Sequence, residues 1–559
     1  MDSSAASIFS SQKRPYFIVL LLAIVLNIAG ICIKFFTDDP ALYSALARSM
    51  AYSNNFTDLM YHGGDWLDKP HFPFWAIAIS FKLFGVNTIA YKLPALLFFF
   101  MAVVYTYKLA KKFYGDETAI IAILILLTAQ HSVMSNTDVR AEPYIMGLLM
   151  GAVYHFYKVK ERFSMADVLL ASIFTACAVM TKGIYLLIPI GASIIGDYLF
   201  KGNIKGVFHW KWLLAFILVV VFTLPEIYSV YTQFDLHPEK VVFGRTGISG
   251  IHWFLWDSQF GRFNNNGYIT NTHGDKLFFV HTLLWAFAPW AILLFYALYS
   301  NVRKMVKGIA QPEYLCISGG ALLLLIFSLS KFQLPFYTNI LFPFFAIITA
   351  GFVSSLKIGA EFKFFKIAQY IITGLLLVAV IALNFIFAPE CWLLFVLLIA
   401  GFTGLIIYIY KKPIQVYQPV FLFTCAVSIL VNAYLVTVAY PIIVDYRGDL
   451  SAAEYLNDNY PQQKVSAVVL SNTFDFYYKG QVTYTNLDAI LKTDSLKSRI
   501  IVADEKAIVE LKEKGIGYTT VKSFQDFPHE NLSLPFIIKK KRAATLDQFY
   551  LIRLAKWQD

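Results

Sequence analysis

The sequence predicts a polytopic α-helical membrane protein with a small α/β domain at its C-terminal end. Of its 559 residues, 58% are apolar and only 15% are charged, whereas soluble globular proteins average about 25% charged residues. Apolar runs long enough to span a membrane recur through most of the chain, and cationic residues cluster in alternate short connections between them. These observations exclude a soluble enzyme, a disordered chain and a disulfide-rich secreted scaffold.

The apolar runs predict about thirteen membrane-spanning helices, each close to the length that a bilayer requires. The first run is longer than the apolar core of a cleaved signal peptide, so we interpret it as an uncleaved span. The runs lie near residues 16–36, 88–107, 118–135, 141–157, 165–181, 184–200, 212–232, 278–300, 314–330, 334–354, 367–388, 391–410 and 415–440.

The cationic residues predict the orientation of these spans. With thirteen alternating spans, the Lys- and Arg-rich connections all fall on one side, together with Lys13 and Arg14 at the N-terminus. Cytoplasmic loops are enriched in Lys and Arg, so this side is predicted to be the cytoplasm. The net charge of +11 is therefore explained by topology, and nucleic acid is not an expected partner. The connections carry Lys108/Lys111/Lys112, Lys158/Lys160/Arg162, Lys201/Lys205/Lys211, Arg303/Lys304/Lys307, Lys357/Lys363/Lys366 and Lys411/Lys412.

The opposite, outer face receives the remaining polar segments. Residues 1–445 form a predicted transmembrane domain, which includes the outer segment 37–87 with interfacial helices and the outer loop 233–277. Residues 446–559 are richer in charge, and their apolar runs are short, so we predict a soluble α/β domain outside the membrane. Its expected strands are Val465–Leu470, Ile500–Ala503 and Phe549–Leu554, and its expected helices are Ser451–Asn457 and Lys506–Lys514.

Two aspartates follow the first span. Asp38 and Asp39 precede Pro40 and a stretch with apolar residues on one helical face. Acidic residues before a proline are an ordinary arrangement at a helix N-terminus. A carboxylate at the membrane surface is also suited to act as a general base. Both interpretations stay open on the residues alone.

A second acid–base pair, Asp68-Lys69, lies between a Gly-Gly turn and the aromatic run Phe72–Trp75. An interfacial helix beside a solvated lysine would give this pattern without any role in binding or catalysis. Alternatively, Lys69 faces an anionic phosphate and Asp68 is available to a divalent metal ion.

A third cluster, Asp138-Val139-Arg140-Ala141-Glu142, lies at the outer end of a span. Asp138 and Glu142 are four residues apart, so both project from one helical face. Mutually neutralised charges at a helix end and a functional polar site are both consistent with this pattern.

Further charges on the outer face go against the positive-inside trend. Lys182 and Lys331 each lie alone between two spans, and Arg262 and His273 lie in the long outer loop. The lysines either extend towards the interface or bind a phosphate. His273 is either solvated or a metal ligand. No nucleotide-binding phosphate loop, zinc-protease motif or hydrolase nucleophile motif is present.

Read in order, these segments resemble a known family. Asp39, Tyr43, Arg48 and Met50, followed by Gly64-Asp65-Trp66, Asp68-Lys69-Pro70 and Phe74-Trp75, resemble the first outer loop of GT-C membrane glycosyltransferases. The likeness is to the protein O-mannosyltransferase and lipid A aminoarabinose transferase type, and it extends over about residues 15–345. Later matching segments are Phe84-Gly85, Lys92-Leu93-Pro94, Thr181-Lys182-Gly183, Arg262-Phe263, His273, Pro289-Trp290 and Lys331 to Tyr337.

The resemblance implies a GT-C fold and an inverting glycosyltransferase. Such an enzyme moves a sugar from a polyprenyl-phosphate donor to a lipid or protein hydroxyl on the periplasmic face of a bacterial inner membrane. It implies Asp39 as the catalytic base, with Asp38 as the alternative because Pro40 replaces the family's Glu. Donor phosphate and sugar would be bound by Lys69, Asp138, Arg140, Glu142, Lys182, Arg262, Lys331 and Tyr337.

Cofactors and an alternative function stay open at this stage. No cofactor is certain, and a divalent metal held by Asp68 and His273 is the open candidate. Lipid A, another glycolipid and a protein hydroxyl are all candidate acceptors, and membrane lipids are expected partners. The alternative function is a transporter or flippase of a lipid-linked saccharide. That alternative predicts internal symmetry and paired half-helices, which the sequence lacks.

Overall fold

The computed structural model of the chain describes residues 14–265, 274–411, 415–527 and 532–554. These residues form two compact units. The first comprises the chain up to Cys32, Leu46–Val378 and Leu397–Ala433. The second comprises Ile33–Ala45, Ala379–Val396 and the chain from Tyr434 onwards. The predicted boundary between a membrane domain and an outer domain at residue 445 stays a prediction.

Helices dominate the part of the chain before residue 446. In chain order they are α1 Arg14–Ala29, α2 Asp38–Ser53, α3 Phe72–Phe84, α4 Thr88–Tyr114, α5 Asp116–Thr128, α6 Gln130–Thr137, α7 Glu142–Glu161, α8 Met165–Lys182, α9 Leu187–Phe200, α10 Trp210–Val230, α11 Gly250–His252, α12 Arg262–Asn264, α13 Phe278–Ala286, α14 Ala291–Val306, α15 Leu315–Leu329, α16 Phe342–Ser354, α17 Ala360–Phe387, α18 Trp392–Tyr410, α19 Gln418–Tyr434 and α20 Tyr440–Asp445. A short hairpin of β1 (Met60–Tyr61) and β2 (Gly64–Asp65) interrupts them.

The chain is a multi-pass membrane protein, as predicted, although fewer helices than thirteen have the full spanning character. Within the described residues, eight helices are long and apolar enough to cross a membrane, or up to nine if the bent pair α5–α6 counts as one span. Each of the thirteen predicted runs is nevertheless largely helical. The run 278–300 contains two helices, α13 and α14, and the helices α3, α9 and α15 are apolar but short.

Small residues allow close helix packing in the first unit. A Cβ added to Gly147 of α7 would lie 2.2 Å from the carbonyl oxygen of Phe98 in α4. Between α9 and α15, Gly196 faces Ser318 and Gly319 faces Ser193, with added Cβ atoms 2.1 and 2.2 Å from the serine hydroxyls. Helices in membranes associate through such small residues because apolar side chains already have lipid as a partner.

The C-terminal part of the second unit contains a five-stranded β-sheet with short helices between its strands. Its helices are α21 Gly448–Asn459, α22 Asn472–Tyr477, α23 Leu487–Lys492, α24 Asp494–Lys497, α25 Glu505–Glu513, α26 Leu534–Ile537 and α27 Lys539–Arg542. Its strands are β3 Val465–Ala467, β4 Val482–Tyr484, β5 Ile500–Ala503, β6 Tyr518–Asp526 and β7 Asp547–Leu554.

The sheet has the strand order β4-β3-β5-β7-β6. The pairs β3–β4 and β3–β5 are parallel, and β7 pairs antiparallel with β5 and β6. Ile500 and Val502 of β5 face one core, and Ile501 and Ala503 face another. This alternation explains why β5 is apolar throughout, since successive side chains point to opposite faces and both faces are buried.

Candidate active site

One glutamine connects the segment after α2 to the segment after α10 through hydrogen bonds. The side-chain oxygen of Gln233 accepts a hydrogen bond from the backbone N–H of Leu59 at 3.0 Å. Its amide nitrogen donates to the Leu59 carbonyl and to Asp65, each at 3.0 Å. Lys240 also contacts Asp65, at 2.9 Å. The two polar segments are therefore held in a defined register.

A buried histidine–glutamate pair holds the residues directly after Lys69. Glu226 of α10 accepts the backbone N–H of His71 at 3.0 Å, and its other oxygen lies 3.0 Å from Nδ1 of the same histidine. Nε2 of His71 lies 2.9 Å from the carbonyl oxygen of Thr57. The sequence reasoning missed both residues. The available signal was Glu226 itself, the lone acidic residue of the apolar helix α10.

Asp68 connects two cations. One of its carboxylate oxygens contacts the ammonium of Lys69, and the other contacts the guanidinium of Arg262 from the outer loop. Burial raises the pKa of Asp68, but the charges of Lys69 and Arg262 outweigh that effect, so the net pKa lies below its usual value. Asp68 is therefore a carboxylate at neutral pH, and it brings together two residues that are 193 positions apart in the sequence.

A second ion pair lies between α7 and α8. Glu142 begins α7, Lys182 ends α8, and their side chains are in contact with only 1% and 6% of their surface exposed. The Lys182 ammonium lies 4.1 Å from the ring centroid of Tyr337 and 5.4 Å from that of Phe336. Lys182 is therefore held by one carboxylate and two aromatic faces.

The Phe336 ring links this pair to Arg140. The Arg140 guanidinium lies 4.4 Å from the ring centroid of Phe336 and 3.7 Å from a carboxylate oxygen of Asp138. Arg140, Lys182 and Tyr337 thus belong to one cluster, although α7 and α8 separate Arg140 from Lys182 in sequence.

Two neighbouring cavities bring the predicted residues together. The first, of about 90 Å³, is lined by residues that include Lys182, Tyr185, Arg262 and Tyr337. The second is lined by Asp68, Lys69 and Glu226, and it shares Lys182, Ser258, Gln259 and Arg262 with the first. The structure therefore places three cations, Lys69, Lys182 and Arg262, around adjoining open space. Preorganised cations of this kind stabilise an anionic group such as a phosphate.

Gly183 explains part of the Thr181-Lys182-Gly183 motif. Its φ of +116° is a backbone conformation that L side chains rarely adopt,. A Cβ at this position would also lie 2.1 Å from the side-chain nitrogen of Gln259. Glycine therefore allows the chain to turn at the end of α8 next to Gln259, a residue that lines both cavities.

Other predicted residues are placed elsewhere. Lys331 is exposed, its backbone N–H donates to the Phe263 carbonyl at 2.9 Å, and its side chain lines neither cavity. Asp38 and Asp39 belong to the second unit, where Asp38 accepts a contact from Arg447 at 3.3 Å. The approach of Asp39 to the cation cluster stays a prediction.

A divalent metal ion held by Asp68 and His273 stays a prediction. No group of three His, Cys, Asp or Glu side chains suited to hold a metal ion occurs in the part of the chain that the structure describes. Both oxygens of Asp68 contact cations, so the carboxylate already has positive partners. His273 lies outside the described residues.

The sequence is similar to known glycosyltransferases. Residues 68–228 match the family described as dolichyl-phosphate-mannose-protein mannosyltransferase. The chain is 25% identical over 328 residues to an uncharacterized protein of Aquifex aeolicus, a match covering 57% of this chain and 59% of that protein. It is 24% identical over 362 residues to the undecaprenyl phosphate-alpha-4-amino-4-deoxy-L-arabinose arabinosyl transferase of Erwinia tasmaniensis, covering 63% of this chain and 61% of the relative. The matches thus span about three fifths of these relatives.

The fold is similar to a solved transferase over nearly its whole length. The crystal structure of ArnT from Cupriavidus metallidurans, bound to undecaprenyl phosphate, superposes with a TM-score of 0.73 at 14% identity. The match covers 97% of this chain and 98% of ArnT. At that identity the likeness concerns the fold. The chain therefore has the GT-C fold and is similar in sequence to the mannosyltransferase and aminoarabinose transferase type, as its motifs predict.

Proposed function

We propose that the chain is an inverting glycosyltransferase that moves a sugar from a polyprenyl-phosphate donor to a hydroxyl of a lipid or protein. The observation that carries the proposal is the convergence of Lys69, Lys182 and Arg262 around two adjoining cavities. Three cations in one place suit the phosphate of the donor. A lipid-linked donor also accounts for a site built at the ends of apolar helices, with its hydrocarbon tail in the membrane.

In the proposed reaction, the acceptor hydroxyl oxygen attacks the anomeric carbon of the sugar. The bond between that carbon and the phosphate oxygen breaks, and polyprenyl phosphate leaves with the electron pair. The hydroxyl proton passes to the carboxylate of Asp39, with Asp38 as the alternative base. A positioned general base typically contributes about 10²- to 10⁴-fold in rate.

Lys69, Lys182 and Arg262 stabilise the charge that grows on the departing phosphate. Asp68 and Glu142 hold these cations in position, because a buried cation without a partner is costly. Asp138 and Arg140 orient the sugar or the neighbouring cations, and Tyr337 is a further donor to the phosphate. No step of the scheme uses a metal ion. Lys331 is proposed as a contact for the donor at the edge of the site, since it lines neither cavity.

The proposed orientation places the N-terminus in the cytoplasm of a bacterial cell and residues 446–559 in the periplasm. The Lys- and Arg-rich connections support it, because they all fall on one side when the thirteen predicted spans alternate. The acceptor is then a glycolipid or protein hydroxyl on the periplasmic side. The flippase alternative has no support among the matched relatives, whose assigned activities are transferase activities.

The test is a transfer assay with purified full-length protein in nanodiscs and synthetic polyprenyl-phosphate sugars, each with a radiolabelled sugar. Acceptor candidates come from mass spectrometry of glycolipids and glycoproteins in a deletion strain and its parent. We expect a modified product that is lost in the deletion strain and formed in vitro. Its formation should fall when Lys69 is replaced by Ala but not when the exposed Arg303 is replaced. Movement of the intact donor between leaflets without product would overturn the proposal.

A further inference from the structure

A third, larger cavity lies among α7, α8, α9 and α10 and shares no lining residue with the two cavities of the cation cluster. It measures about 360 Å³, within the range of about 300–1,000 Å³ typical of small-molecule sites. Apolar side chains dominate its lining. They include Phe156, Ile190, Ile194, Trp212, Phe216 and Val219.

Two of the polar side chains that line this cavity, Thr175 and Trp212, have partners within the protein. The Thr175 hydroxyl donates to the carbonyl of Ala171 at 2.7 Å, and the Trp212 indole N–H donates to the carbonyl of Gly206 at 2.8 Å. A polar ligand would therefore find few hydrogen bonds in this lining. A hydrocarbon chain, in contrast, needs no hydrogen bonds and can fill the cavity through van der Waals contact with these apolar side chains.

The cavity faces the hydrocarbon of the membrane. Ile195 and Phe216 line it and are themselves 43% and 59% exposed. Both α8 and α10 are long and apolar enough to cross a membrane, so the exposed sides of these helices meet lipid chains. Access to the cavity is therefore from the bilayer.

One end of the cavity carries positive charge. The ammonium of Lys160 lies 4.8 Å from the ring centroid of Tyr198, and that of Lys211 lies 5.1 Å from the ring centroid of Trp212. Both rings line the cavity. Within the connection between α9 and α10, Val207 also lines the cavity. This connection exposes Lys201 and Lys205.

Four lysines at this end, Lys160, Lys201, Lys205 and Lys211, stand against two nearby carboxylates, Asp197 and Glu161. Lys160 and Lys201 both contact the buried Asp197, so two lysines share one acid. The remaining excess is positive. A phosphate group is its natural complement, since basic residues beside an apolar membrane site attract anionic lipid headgroups.

This end is far from the cavities of the candidate active site. Tyr185 lines the first of those cavities and Tyr198 lines this one, and 13 residues of nearly continuous helix separate them. At 1.5 Å per residue the separation along the helix is about 20 Å. A phosphate at Lys201 and Lys205 is therefore a different group from the one expected at Lys182.

We infer that this cavity binds an acyl chain of an anionic phospholipid, with its phosphate against Lys201 and Lys205. The lipid belongs to the leaflet on the side of the Lys-rich connections. The inference does not depend on the proposed transfer reaction, because it uses neither the cation cluster nor the acceptor.

The test uses phosphatidylglycerol with a photoactivatable diazirine in one acyl chain, added to purified full-length protein in detergent. Cross-linked peptides are identified by mass spectrometry. Gly191 lines the cavity, and a Cβ at this position meets nothing within 4 Å, so Gly191→Phe fills the cavity without a backbone clash. Gly374 of α17 has equally open surroundings, which makes Gly374→Phe the matched control.

We expect labelling in α9 and α10 to fall about tenfold or more in Gly191→Phe, because the added ring occupies the space that the acyl chain would fill,. Gly374→Phe should leave the labelling unchanged. Replacing Lys201 or Lys205 by Gln should lower affinity about fivefold each for phosphatidylglycerol and leave binding of phosphatidylcholine unchanged. Because Lys201 and Lys205 are exposed, these substitutions leave the packing of the core undisturbed. Equal labelling by both lipids, or full labelling of Gly191→Phe, would overturn the inference. Displacement of the probe by undecaprenyl phosphate would also overturn it and assign the cavity to a polyprenyl tail.

Discussion

The buried pair Glu142–Lys182 allows structural and functional roles to be separated. Replacing Glu142 by Gln leaves the Lys182 ammonium almost fully buried without its carboxylate, with the ring of Tyr337 at 4.1 Å as a weak substitute. Removing one partner of a buried ion pair typically costs about 3–5 kcal/mol. Lys182 also lines two cavities, through which water can approach it. We therefore expect the lower end of that range, about 3 kcal/mol.

The second step removes both charges. In the double variant Glu142→Gln, Lys182→Met no charge stays buried, and replacement of a buried pair by uncharged groups is often close to neutral. The stability of the double variant should therefore return to within about 1 kcal/mol of wild type, a recovery of about 2–3 kcal/mol relative to Glu142→Gln. Sugar transfer should be lost in the double variant, because the Lys182 cation proposed to face the phosphate is absent.

The assay combines two measurements on purified protein in mixed micelles. Equilibrium unfolding by increasing SDS gives the stability of each variant, and the transfer assay gives its activity. An unchanged unfolding free energy for Glu142→Gln would refute the ion-pair reasoning. A double variant with wild-type transfer would refute a role of Lys182 at the phosphate, while leaving its structural role intact.

Four other predictions follow from the same structure. Asp39→Asn should slow single-turnover transfer by about 10²-fold or more with unchanged donor binding; wild-type turnover would exclude it as the base. Lys69→Ala should raise the donor KM about tenfold or more, as for loss of a charged hydrogen bond, and leave the acceptor KM unchanged; equal effects would contradict its role. Gly183→Ala should lower the melting temperature because its Cβ meets Gln259 at a φ of +116°. Burial raises the pKa of Asp526 to about 7, so folded protein retains a proton that unfolded protein loses. Stability should fall as pH rises from about 4 to about 7, and the melting temperatures of Asp526→Asn should lack that slope.

Much of the fold follows from the sequence because burial in lipid demands long apolar helices. The apolar runs identify helices along the whole membrane region, and Ile500–Ala503 is a strand with the predicted bounds. The number of spans is predicted less well than the positions of the helices, since polar residues or breaks shorten several helices. The break between α5 and α6, at Ala129, bends the chain by 56°. Neither glycine nor proline marks that position in the sequence.

The cation cluster was predictable in part. Lys69, Lys182 and Arg262 stand out because isolated charges at the ends of apolar runs are costly unless they are paired or used. Their partners were harder to assign. Asp68 was expected to be available to a metal, but it contacts Lys69 and Arg262. That arrangement depends on the path of the outer loop, which residue spacing does not encode.

The pair formed by His71 and Glu226 shows what local pattern cannot reveal. The two residues are 155 positions apart, and both are fully buried. Glu226 alone, as an acid within an apolar helix, indicates that a partner exists. Only the tertiary structure identifies that partner as the residue two positions after Lys69.

The most direct test of the account is the affinity of the purified protein for undecaprenyl phosphate. It is measured by microscale thermophoresis in wild type and in variants Lys69→Ala, Lys182→Met, Arg262→Ala and Arg303→Ala. The three cluster variants should each bind about tenfold or more weakly, the effect of losing one charge-assisted contact, and Arg303→Ala should bind as wild type does. Equal affinity in all five proteins would contradict the phosphate site at the centre of this account.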